Sequence, residues 1–385
     1  MKFDTNAVHA GEHPDPQSGA MSTPIYQTST YVQQSPGIHK GYEYGRTGNP
    51  TRKALETKLA ALENGRFGFA FGSGMAATSA LMGLVKSGDH VVVTDNVYGG
   101  TYRYFEHIMT DYGLTFSFVD TSQHQNLEKA LQPNTRLVFI ETPTNPLLRV
   151  TDLAKVAELC KARDILTVVD NTFLSPYFQR PLDFEIDIVV HSSTKYINGH
   201  SDVIGGIVVV RSEKLAERLG FLQNAVGAVP SPFDCWLILR ATKTLHLRMR
   251  QQNESALQLA NYLDKHPKIQ KVIYPGLESH PHYLLAKKQQ RDPYGNPGFG
   301  GMLSFELGSW ERAKTFLENV SLFSLAESLG GVESLICHPT SMTHASVPEE
   351  ERLRIGLTSG LARISTGVEA VEDLITDLDQ ALAKL

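Results

Sequence analysis

The sequence predicts an α/β protein with a large, mainly parallel sheet and a smaller α+β domain nearer the carboxyl end. Two observations lead to this prediction. Between residues 51 and 235, short runs that are apolar throughout alternate with helical stretches, as in strands buried on both faces of a sheet. Beyond residue 236, a long helical stretch leads into a few strands and further helices.

The strands and helices of the large domain follow one another in a regular alternation. The first helix is expected directly after Pro50, because Leu55, Leu59 and Leu62 then fall on one face. Further helices are expected at 76–85, 102–111 and 153–163. The apolar runs predict strands at 67–71, 91–94, 116–119, 137–140, 166–169, 188–191 and 207–210.

The last third of the chain predicts the smaller domain, which is reached through one long connecting helix at 236–265. Its strands are expected at 272–274, 302–305 and 362–365, and its helices at 311–318 and 369–383. The turn-rich segment 291–298 is expected to be an irregular surface loop. The predicted units are therefore an amino-terminal arm (1–50), a large domain (51–235), and the connecting helix with the small domain (236–385).

The amino-terminal arm has little hydrophobic periodicity and is rich in Gly, Pro, Ser, Thr and Tyr. A polar segment of this length either lies on another surface or is disordered. Its tyrosines, Tyr26, Tyr31, Tyr42 and Tyr44, argue against disorder. We therefore expect an ordered arm that reaches a second subunit.

The composition excludes several classes of protein. The 385 residues carry a formal net charge of −5 without a long basic run, which argues against nucleic acid or an anionic membrane as a partner. No apolar run approaches the roughly 20 residues that span a bilayer, and the polar start is unlike a signal peptide. Three scattered cysteines and fourteen histidines show neither a disulfide framework nor the spacing of metal ligands. We expect a reduced, cytoplasmic enzyme without a metal.

A glycine-rich loop at 72–77, Gly-Ser-Gly-Met-Ala-Ala, lies between a predicted strand and a predicted helix. Asp95 follows at the end of the next strand, so the pattern is that of a dinucleotide site, and an NAD-dependent oxidoreductase is one candidate. However, backbone N–H groups at a helix N-terminus bind any phosphate. Another phosphorylated cofactor, or a tight turn without a ligand, therefore fits the loop as well.

A lysine and an aspartate at the ends of two successive strands favour a different cofactor. Lys195 follows the apolar strand at 188–191 and the hydroxyl residues Ser192 and Thr194, and Asp170 ends the strand before. A poorly solvated lysine can act as a nucleophile, and a carboxylate at a strand end faces the ligand crevice. Pyridoxal phosphate (PLP) needs this pair: the lysine forms a Schiff base, and the aspartate keeps the pyridine nitrogen protonated. A dinucleotide needs neither residue.

Several longer motifs identify a family. They are 42–52 (YEYGRTGNPTR), 73–77 (SGMAA), 97–101 (VYGGT), 141–146 (ETPTNP), 169–172 (VDNT), 192–199 (SSTKYING), 327–331 (ESLGG) and 363–365 (RIS). With these motifs, almost the whole chain closely resembles the transsulfuration (cysteine/methionine-metabolism) family of PLP-dependent enzymes. That family includes cystathionine γ-lyases and γ-synthases, with cystathionine β-lyase and methionine γ-lyase as relatives. The resemblance implies the aspartate-aminotransferase-like, type I fold and a homotetramer of two tight dimers.

The resemblance also implies which residues bind the cofactor. Lys195 matches the lysine that carries PLP, Asp170 the partner of the pyridine nitrogen, and Tyr98 the catalytic tyrosine that stacks on the ring. Tyr44 and Arg46 match residues that reach the phosphate from the neighbouring subunit, which would explain the ordered arm. The phosphate cradle is matched by Gly74, Met75, Ser192 and Thr194.

The substrate implied by the resemblance is a small amino acid. Arg363 matches the arginine that holds the α-carboxylate, with Asn145 and Ser328 assisting. Glu43 and Glu327 match acids that meet the distal ammonium of a cystathionine-sized substrate. We predict a cystathionine γ-lyase, which forms L-cysteine, 2-oxobutanoate and ammonia. The alternative is a γ-synthase, which joins L-cysteine to an O-acylated homoserine. A methionine γ-lyase is disfavoured, because the turn after the stacking tyrosine lacks the cysteine that those enzymes carry there.

Overall fold

The computed structural model of the chain describes residues 1–344 and 349–385. Its large sheet has seven strands, which in chain order are β1 (Phe67–Phe71), β2 (His90–Thr94), β3 (Thr115–Val119), β4 (Thr135–Glu141), β5 (Leu166–Asp170), β6 (Ile188–Ser192) and β7 (Gly206–Val210). Their order across the sheet is β1-β7-β6-β5-β4-β2-β3. β7 runs antiparallel to β1 and β6, and the other neighbours are parallel. All seven predicted strands are confirmed.

Both faces of the large sheet are buried, as the apolar runs predict. Along β2, Val91 and Val93 pack into one hydrophobic core, whereas Val92 packs into another on the opposite face. The helices of this part are α1 (Phe3–His9), α2 (Pro50–Leu62), α3 (Gly74–Met82), α4 (Gly99–Tyr104), α5 (His124–Ala130), α6 (Leu153–Lys161), α7 (Ser175–Phe178) and α8 (Glu213–Val226). The α-helix predicted at 102–111 is instead α4 followed by a π-helical turn, in which Phe105 is buried.

The single connecting helix predicted at 236–265 is wrong, because the structure has two helices there. They are α9 (Pro232–Thr242) and α10 (Leu245–Asp264). The carbonyl oxygen of Ala241 near the end of α9 accepts hydrogen bonds from Thr244 Oγ1 and Arg248 Nη2, both at 3.1 Å. The backbone N–H of Thr244 also donates to this oxygen, at 3.2 Å, in a three-residue turn instead of the four-residue step of an α-helix, so the helix ends there.

A second sheet of five strands forms the smaller part, consisting of β8 (Lys271–Ile273), β9 (Met302–Glu306), β10 (Ser324–Leu325), β11 (Leu335–Cys337) and β12 (Leu361–Ser365). Their order is β10-β11-β12-β9-β8. Its helices are α11 (Tyr283–Gln289), α12 (Trp310–Leu317), α13 (Glu349–Ile355) and α14 (Val371–Leu382). The predicted strands and helices correspond to β8, β9, β12, α12 and α14. The sequence analysis missed β10 and β11, which are two and three residues long.

Helix α10 passes from one hydrophobic core to the other. Leu245 and Met249 pack into the core of the large sheet, whereas Leu259 and Leu263 pack into the core of the small sheet. The fold therefore matches the predicted large mainly parallel sheet with a small α+β part after it. The domain division at residue 235 stays a prediction.

The amino-terminal arm packs into the body with its first helix and is held farther along by polar contacts, such as Tyr26 N to Thr51 Oγ1 at 3.0 Å and Arg52 Nη1 to the carbonyl oxygen of Gly45 at 3.0 Å. Phe3 and Ala7 of α1 are buried in the core of the large sheet. Farther along, the side chains of Met21 and Val32 are 77% and 94% exposed within the single chain. The contact of the arm with a second subunit stays a prediction.

The 291–298 segment is the expected irregular loop. It closes with an isolated bridge between Arg291 and Pro297, and Tyr294 donates its hydroxyl hydrogen to Asp4 Oδ2 over 2.8 Å. The loop therefore holds helix α1 from the side of the small sheet. Among the described residues, no helix combines the length and the apolar character needed to cross a membrane.

Candidate active site

A cavity of about 270 Å³ lies between the two sheets. It is lined by the last residues of β4, β5 and β6, by the start of α3, and by residues of the small sheet. Ligands of α/β proteins bind at this carboxyl edge of the strands. Most predicted site residues line it, namely Gly74, Met75, Tyr98, Asn145, Asp170, Ser192, Thr194, Lys195, Glu327, Ser328 and Arg363.

Three predicted site residues of the arm lie outside this cavity in the single chain. Arg46 Nη1 donates to both oxygens of Asn224, at 2.5 and 3.0 Å, and its guanidinium lies 5.5 Å from the ring of Tyr44. Glu43 Oε1 lies 3.8 Å from Nε2 of His39 in the same chain. The chain therefore assembles the cavity without the arm, and the proposed roles of the three residues require a neighbouring subunit.

Lys195 lies in the turn after β6, and its amine is held in the cavity. Lys195 Nζ donates a hydrogen bond of 2.7 Å to Ser328 Oγ. Burial and the positive charge of Arg363 lower the pKa of Lys195 to about 8, against the opposing effect of Glu327. About a tenth of the amine is therefore uncharged at pH 7, far more than for an ordinary lysine, and this uncharged form can act as a nucleophile or a base.

The sequence analysis missed Arg248, which supports the turn that carries Lys195. Its guanidinium donates to the carbonyl oxygens of Tyr196 and Ile197, at 2.6 and 3.1 Å, and it is almost fully buried. Gly199, with a φ of 69°, leaves the space that this guanidinium occupies. Arg248 is 52 residues from Tyr196, so no local pattern could have indicated the contact.

The glycine-rich loop brings helix α3 directly against β6. A Cβ atom at Gly74 would lie 2.9 Å from Ser192 Cβ, so a larger residue does not fit there. Ser73 Oγ caps the helix by accepting from Ala76 N at 2.9 Å. The first backbone N–H groups of α3 and the hydroxyl of Ser192 thus line one end of the cavity, which suits a phosphate group.

Two carboxyl groups lie side by side at the floor of the cavity. Asp170 Oδ1 accepts hydrogen bonds from Thr172 N and Oγ1 at 3.0 and 2.5 Å, and burial raises the pKa of Asp170. Glu141, which the sequence analysis quoted within a motif but gave no role, is the register partner of Asp170 on β4. Burial and the charge of Asp170 raise the pKa of Glu141 well above its usual value.

The tyrosine predicted to stack on the cofactor lies at the rim of the cavity. The Tyr98 side chain is 44% exposed, so its ring is accessible to a ligand. Its backbone nitrogen donates to Glu141 Oε2 at 2.8 Å. The space for the ring depends on Gly100, because a Cβ atom there would overlap the ring.

The guanidinium of Arg363 is fixed at the opposite, small-sheet side of the cavity. Nη1 donates to Asn145 Oδ1 at 2.8 Å, and Nη2 donates to the carbonyl oxygen of Ser328 at 2.9 Å. The buried Nε has no hydrogen-bond partner among the described residues. His344 Nε2 lies 3.1 Å from the carbonyl oxygen of Asn145 and supports this arrangement from behind. An oriented guanidinium of this kind suits a carboxylate.

The aspartate of the dinucleotide pattern is engaged elsewhere. Asp95 Oδ2 lies 3.5 Å from Arg149 Nη1 and does not line the cavity. Within residues 1–344 and 349–385, no group of three or more His, Cys, Asp or Glu side chains is arranged to hold a metal ion. The cavity combines a lysine of lowered pKa, a partly buried aspartate and a phosphate cradle, and these features together fit PLP.

Comparison with known proteins agrees with this conclusion. Residues 4–383 match the model of the Cys/Met metabolism PLP-dependent enzyme family, and the chain belongs to that family. The family resemblance and the PLP cofactor are therefore confirmed. The NAD-dependent alternative is wrong, because the glycine-rich loop belongs to a PLP-dependent enzyme.

Relatives and solved structures cover the chain almost completely. It is 54% identical over 383 residues to a cystathionine β-lyase of Coxiella burnetii, covering 99% of this chain and 97% of that protein. It is 53% identical over 385 residues to a cystathionine γ-lyase of Bacillus subtilis, covering 100% of both. The structure of cystathionine γ-lyase from Lactobacillus plantarum complexed with L-serine is 46% identical, with a TM-score of 0.96 over 100% of this chain and 99% of that one. The type I fold and a PLP-dependent lyase of cysteine and methionine metabolism follow from these matches.

Proposed function

We propose that the enzyme cleaves L-cystathionine by γ-elimination, consuming one water molecule and giving L-cysteine, 2-oxobutanoate and ammonia. The observation that supports this most is one cavity that holds the Lys195 amine, the Arg363 guanidinium and the Glu327 carboxyl group. They provide a base, a site for an α-carboxylate and a site for a second ammonium, respectively. Cystathionine has all three matching parts.

The roles proposed for the cofactor-binding residues follow from the chemistry of the cavity. PLP supplies an electron-accepting ring when it is bound. Lys195 would bind it covalently, Asp170 would keep its pyridine nitrogen protonated, and Tyr98 would cover the ring. The cradle formed by Gly74, Met75, Ser192 and Thr194 would hold the phosphate.

Substrate binding and proton transfer fall to a second set of side chains. Arg363, held by Asn145 and the Ser328 carbonyl, would bind the α-carboxylate and orient Cα towards Lys195. Lys195, with its pKa near 8, would move protons at Cα and Cβ so that the γ-substituent can leave. Glu327 would bind the distal ammonium.

The arm would complete the site from a neighbouring subunit. Glu43, Tyr44 and Arg46 lie outside the cavity of their own chain, on a segment whose apolar side chains are exposed. We propose that Tyr44 and Arg46 contact the phosphate and Glu43 the distal ammonium in the partner's cavity. This arrangement requires at least a dimer, and we propose the homotetramer of the family and a cytoplasmic location.

A cystathionine β-lyase is the second candidate, since a protein of that name is 54% identical to the chain. The thioether of cystathionine joins Cβ of one amino-acid half to Cγ of the other. If Arg363 holds the cysteine half, β-elimination gives homocysteine, pyruvate and ammonia. If it holds the homocysteine half, γ-elimination gives 2-oxobutanoate. The γ-synthase stays a further alternative.

Identification of the keto acid distinguishes these activities. The holoenzyme is incubated with L-cystathionine, and the keto acids are separated and identified by mass spectrometry, with Lys195→Ala as the inactive control. We expect 2-oxobutanoate as the main product; mainly pyruvate would establish the β-lyase. A parallel reaction with O-succinyl- or O-acetylhomoserine and cysteine tests the synthase. If the enzyme forms cystathionine in this reaction faster than it cleaves cystathionine, the proposal is overturned in favour of the γ-synthase.

A further inference from the structure

Glu141 lines the active-site cavity and connects two segments that carry other site residues. Its side chain is 4% exposed, and its Oε2 accepts the backbone N–H of Tyr98 at 2.8 Å. The backbone N–H of Asn145 is a second donor near this carboxyl group and favours its ionised form. The amide of Asn145 in turn holds Arg363. One side chain thus fixes both the loop of the stacking tyrosine and the loop of the carboxylate site.

Glu141 is buried and Asp170 beside it is partly buried, so charging both carboxyl groups is costly. They are register partners on adjacent parallel strands, so their side chains lie on the same face of the sheet. Neighbouring buried carboxyl groups share their ionisation, with one of them remaining protonated.

The donors around the pair indicate which acid keeps the proton. Asp170 accepts from the hydroxyl and from the backbone N–H of Thr172, and both bonds favour its ionised form by lowering its pKa against the effect of burial. The charged groups that share the cavity are Lys195, Arg363 and Glu327, and the Arg363 donors are directed at Asn145 and Ser328. Arg363 and the backbone donors favour the ionised form of Glu141, but burial and the neighbouring Asp170 oppose it more strongly. The pKa of Glu141 is raised well above its usual value as a result.

We propose that Glu141 is a positioning residue that acts in its uncharged form, joining the Tyr98 loop to the Asn145 loop beside the ionised Asp170. The length of the side chain is then essential, and its charge is not. Both loops are set by one group, so a change in its length affects cofactor and substrate together. This inference rests on the roles proposed for Tyr98, Asp170 and Arg363.

Two variants separate the effect of side-chain length from that of charge. Glu141→Gln keeps the length and removes the ionisable group, whereas Glu141→Asp keeps the acid and withdraws it by one methylene. The measurements are the dissociation constant of PLP from the apoprotein, the cofactor absorbance spectrum between about pH 6 and 9, and KM and kcat for cystathionine. Glu158→Gln, on the exposed face of α6, is the control for a Glu-to-Gln change.

We expect Glu141→Gln to remain within about threefold of the wild type in PLP affinity and KM, with an unchanged spectrum. Glu141→Asp leaves two backbone donors without their acceptor, so we expect PLP affinity and KM to worsen by about tenfold or more. The opposite ranking, with Gln more damaging than Asp, would show that Glu141 acts as a charge and overturn the proposal. If both variants match the wild type in PLP affinity, cofactor spectrum and kinetics, Glu141 has no positioning role.

A separate variant tests the assignment on which this inference depends. Asp170→Asn should weaken PLP binding and shift the cofactor spectrum, because the pyridine nitrogen loses its counter-charge. If Asp170→Asn leaves both unchanged, the role proposed for Asp170 fails whatever the Glu141 variants do. If Asp170→Asn has its expected effect and the Glu141 ranking is reversed, the failure belongs to Glu141 alone.

Discussion

At the residue scale, we expect the charge state of the Lys195 amine to control the capture of PLP. Burial and Arg363 lower the pKa of Lys195 to about 8, so the amine is mainly protonated below that pH and mainly neutral above it. Only the neutral amine attacks the PLP aldehyde. The rate at which apoprotein captures PLP should therefore rise about tenfold per pH unit up to pH 8 and level off above it.

Stopped-flow absorbance measurements of PLP capture by the apoprotein between about pH 6.5 and 9.5 test this prediction. A plateau above pH 8 is expected. A rate that continues to rise towards pH 10.5, the ordinary value for lysine, would show that the cavity does not perturb the amine.

A second residue-scale prediction concerns the carboxylate site. Arg363 donates to Asn145 and to Ser328 through two different nitrogens, and the single ammonium of a lysine cannot copy this fork. Arg363→Lys should raise KM for cystathionine by about 30-fold or more, which corresponds to about 2 kcal/mol, and leave the cofactor absorbance near normal. Steady-state kinetics and an absorbance spectrum of the purified variant provide the check. Loss of PLP with little change in KM would assign Arg363 to the structure instead.

At the scale of elements, the 291–298 loop is predicted to hold helix α1 in place. Asp4 accepts from Tyr294 OH at 2.8 Å and from Arg250 Nη2 at 2.9 Å. Tyr294→Phe removes one of these bonds. Because the pair is partly exposed, the free energy of unfolding should fall by at most about 1.5 kcal/mol. Hydrogen exchange of the amides of α1 should become faster than in the wild type.

Tyr112→Phe is the matched control, since Tyr112 is an exposed tyrosine outside this contact. Exchange in α1 should respond to the change at Tyr294 and not to that at Tyr112. The same exchange rates in both variants would show that the loop does not secure the helix.

The elements that could be predicted from the sequence are those with a strong local pattern. The inner strands of the large sheet were found because they are buried on both faces and are therefore largely apolar, and the partly buried β1 and β3 still show short runs of apolar residues. The break between α9 and α10 could not be predicted, because it depends on where Arg248 and Thr244 direct their side chains. Strands β10 and β11 are too short to show a period.

The active-site residues likewise divide into those that a local sequence pattern indicates and those that depend on distant contacts. Lys195 and Asp170 could be singled out because each follows an apolar strand, where a charged residue is conspicuous. The proposed carboxylate site at Arg363 came only from the family resemblance, since Arg363 and Asn145 lie 218 residues apart. Glu141 was overlooked because its role depends on a register partner on another strand.

At the scale of the whole molecule, the account predicts active sites shared between subunits. Arg46 lies outside the cavity that contains Lys195, so each site would need both residues from different chains. Arg46→Ala and Lys195→Ala should each be nearly inactive, whereas mixed and exchanged subunits should recover about a quarter of the wild-type activity. Half of a random mixture consists of hybrid dimers, and each hybrid has one of its two sites intact.

Native mass spectrometry must show that the subunits have exchanged before the activity is compared. With exchange demonstrated, an absence of recovery would place Arg46 and Lys195 in the same site of one chain, or Arg46 in no site. The same spectra give the size of the assembly, for which we expect four chains.

The measurement that tests the central claim most directly is the location of the cofactor bond. The PLP-loaded protein is reduced with borohydride, digested, and analysed by peptide mass spectrometry, with Lys195→Ala treated in the same way. The account predicts a reduced PLP adduct on the peptide that contains Lys195 and no adduct in the variant. An adduct on another lysine, or an unchanged adduct in Lys195→Ala, would contradict the assignment of the active site.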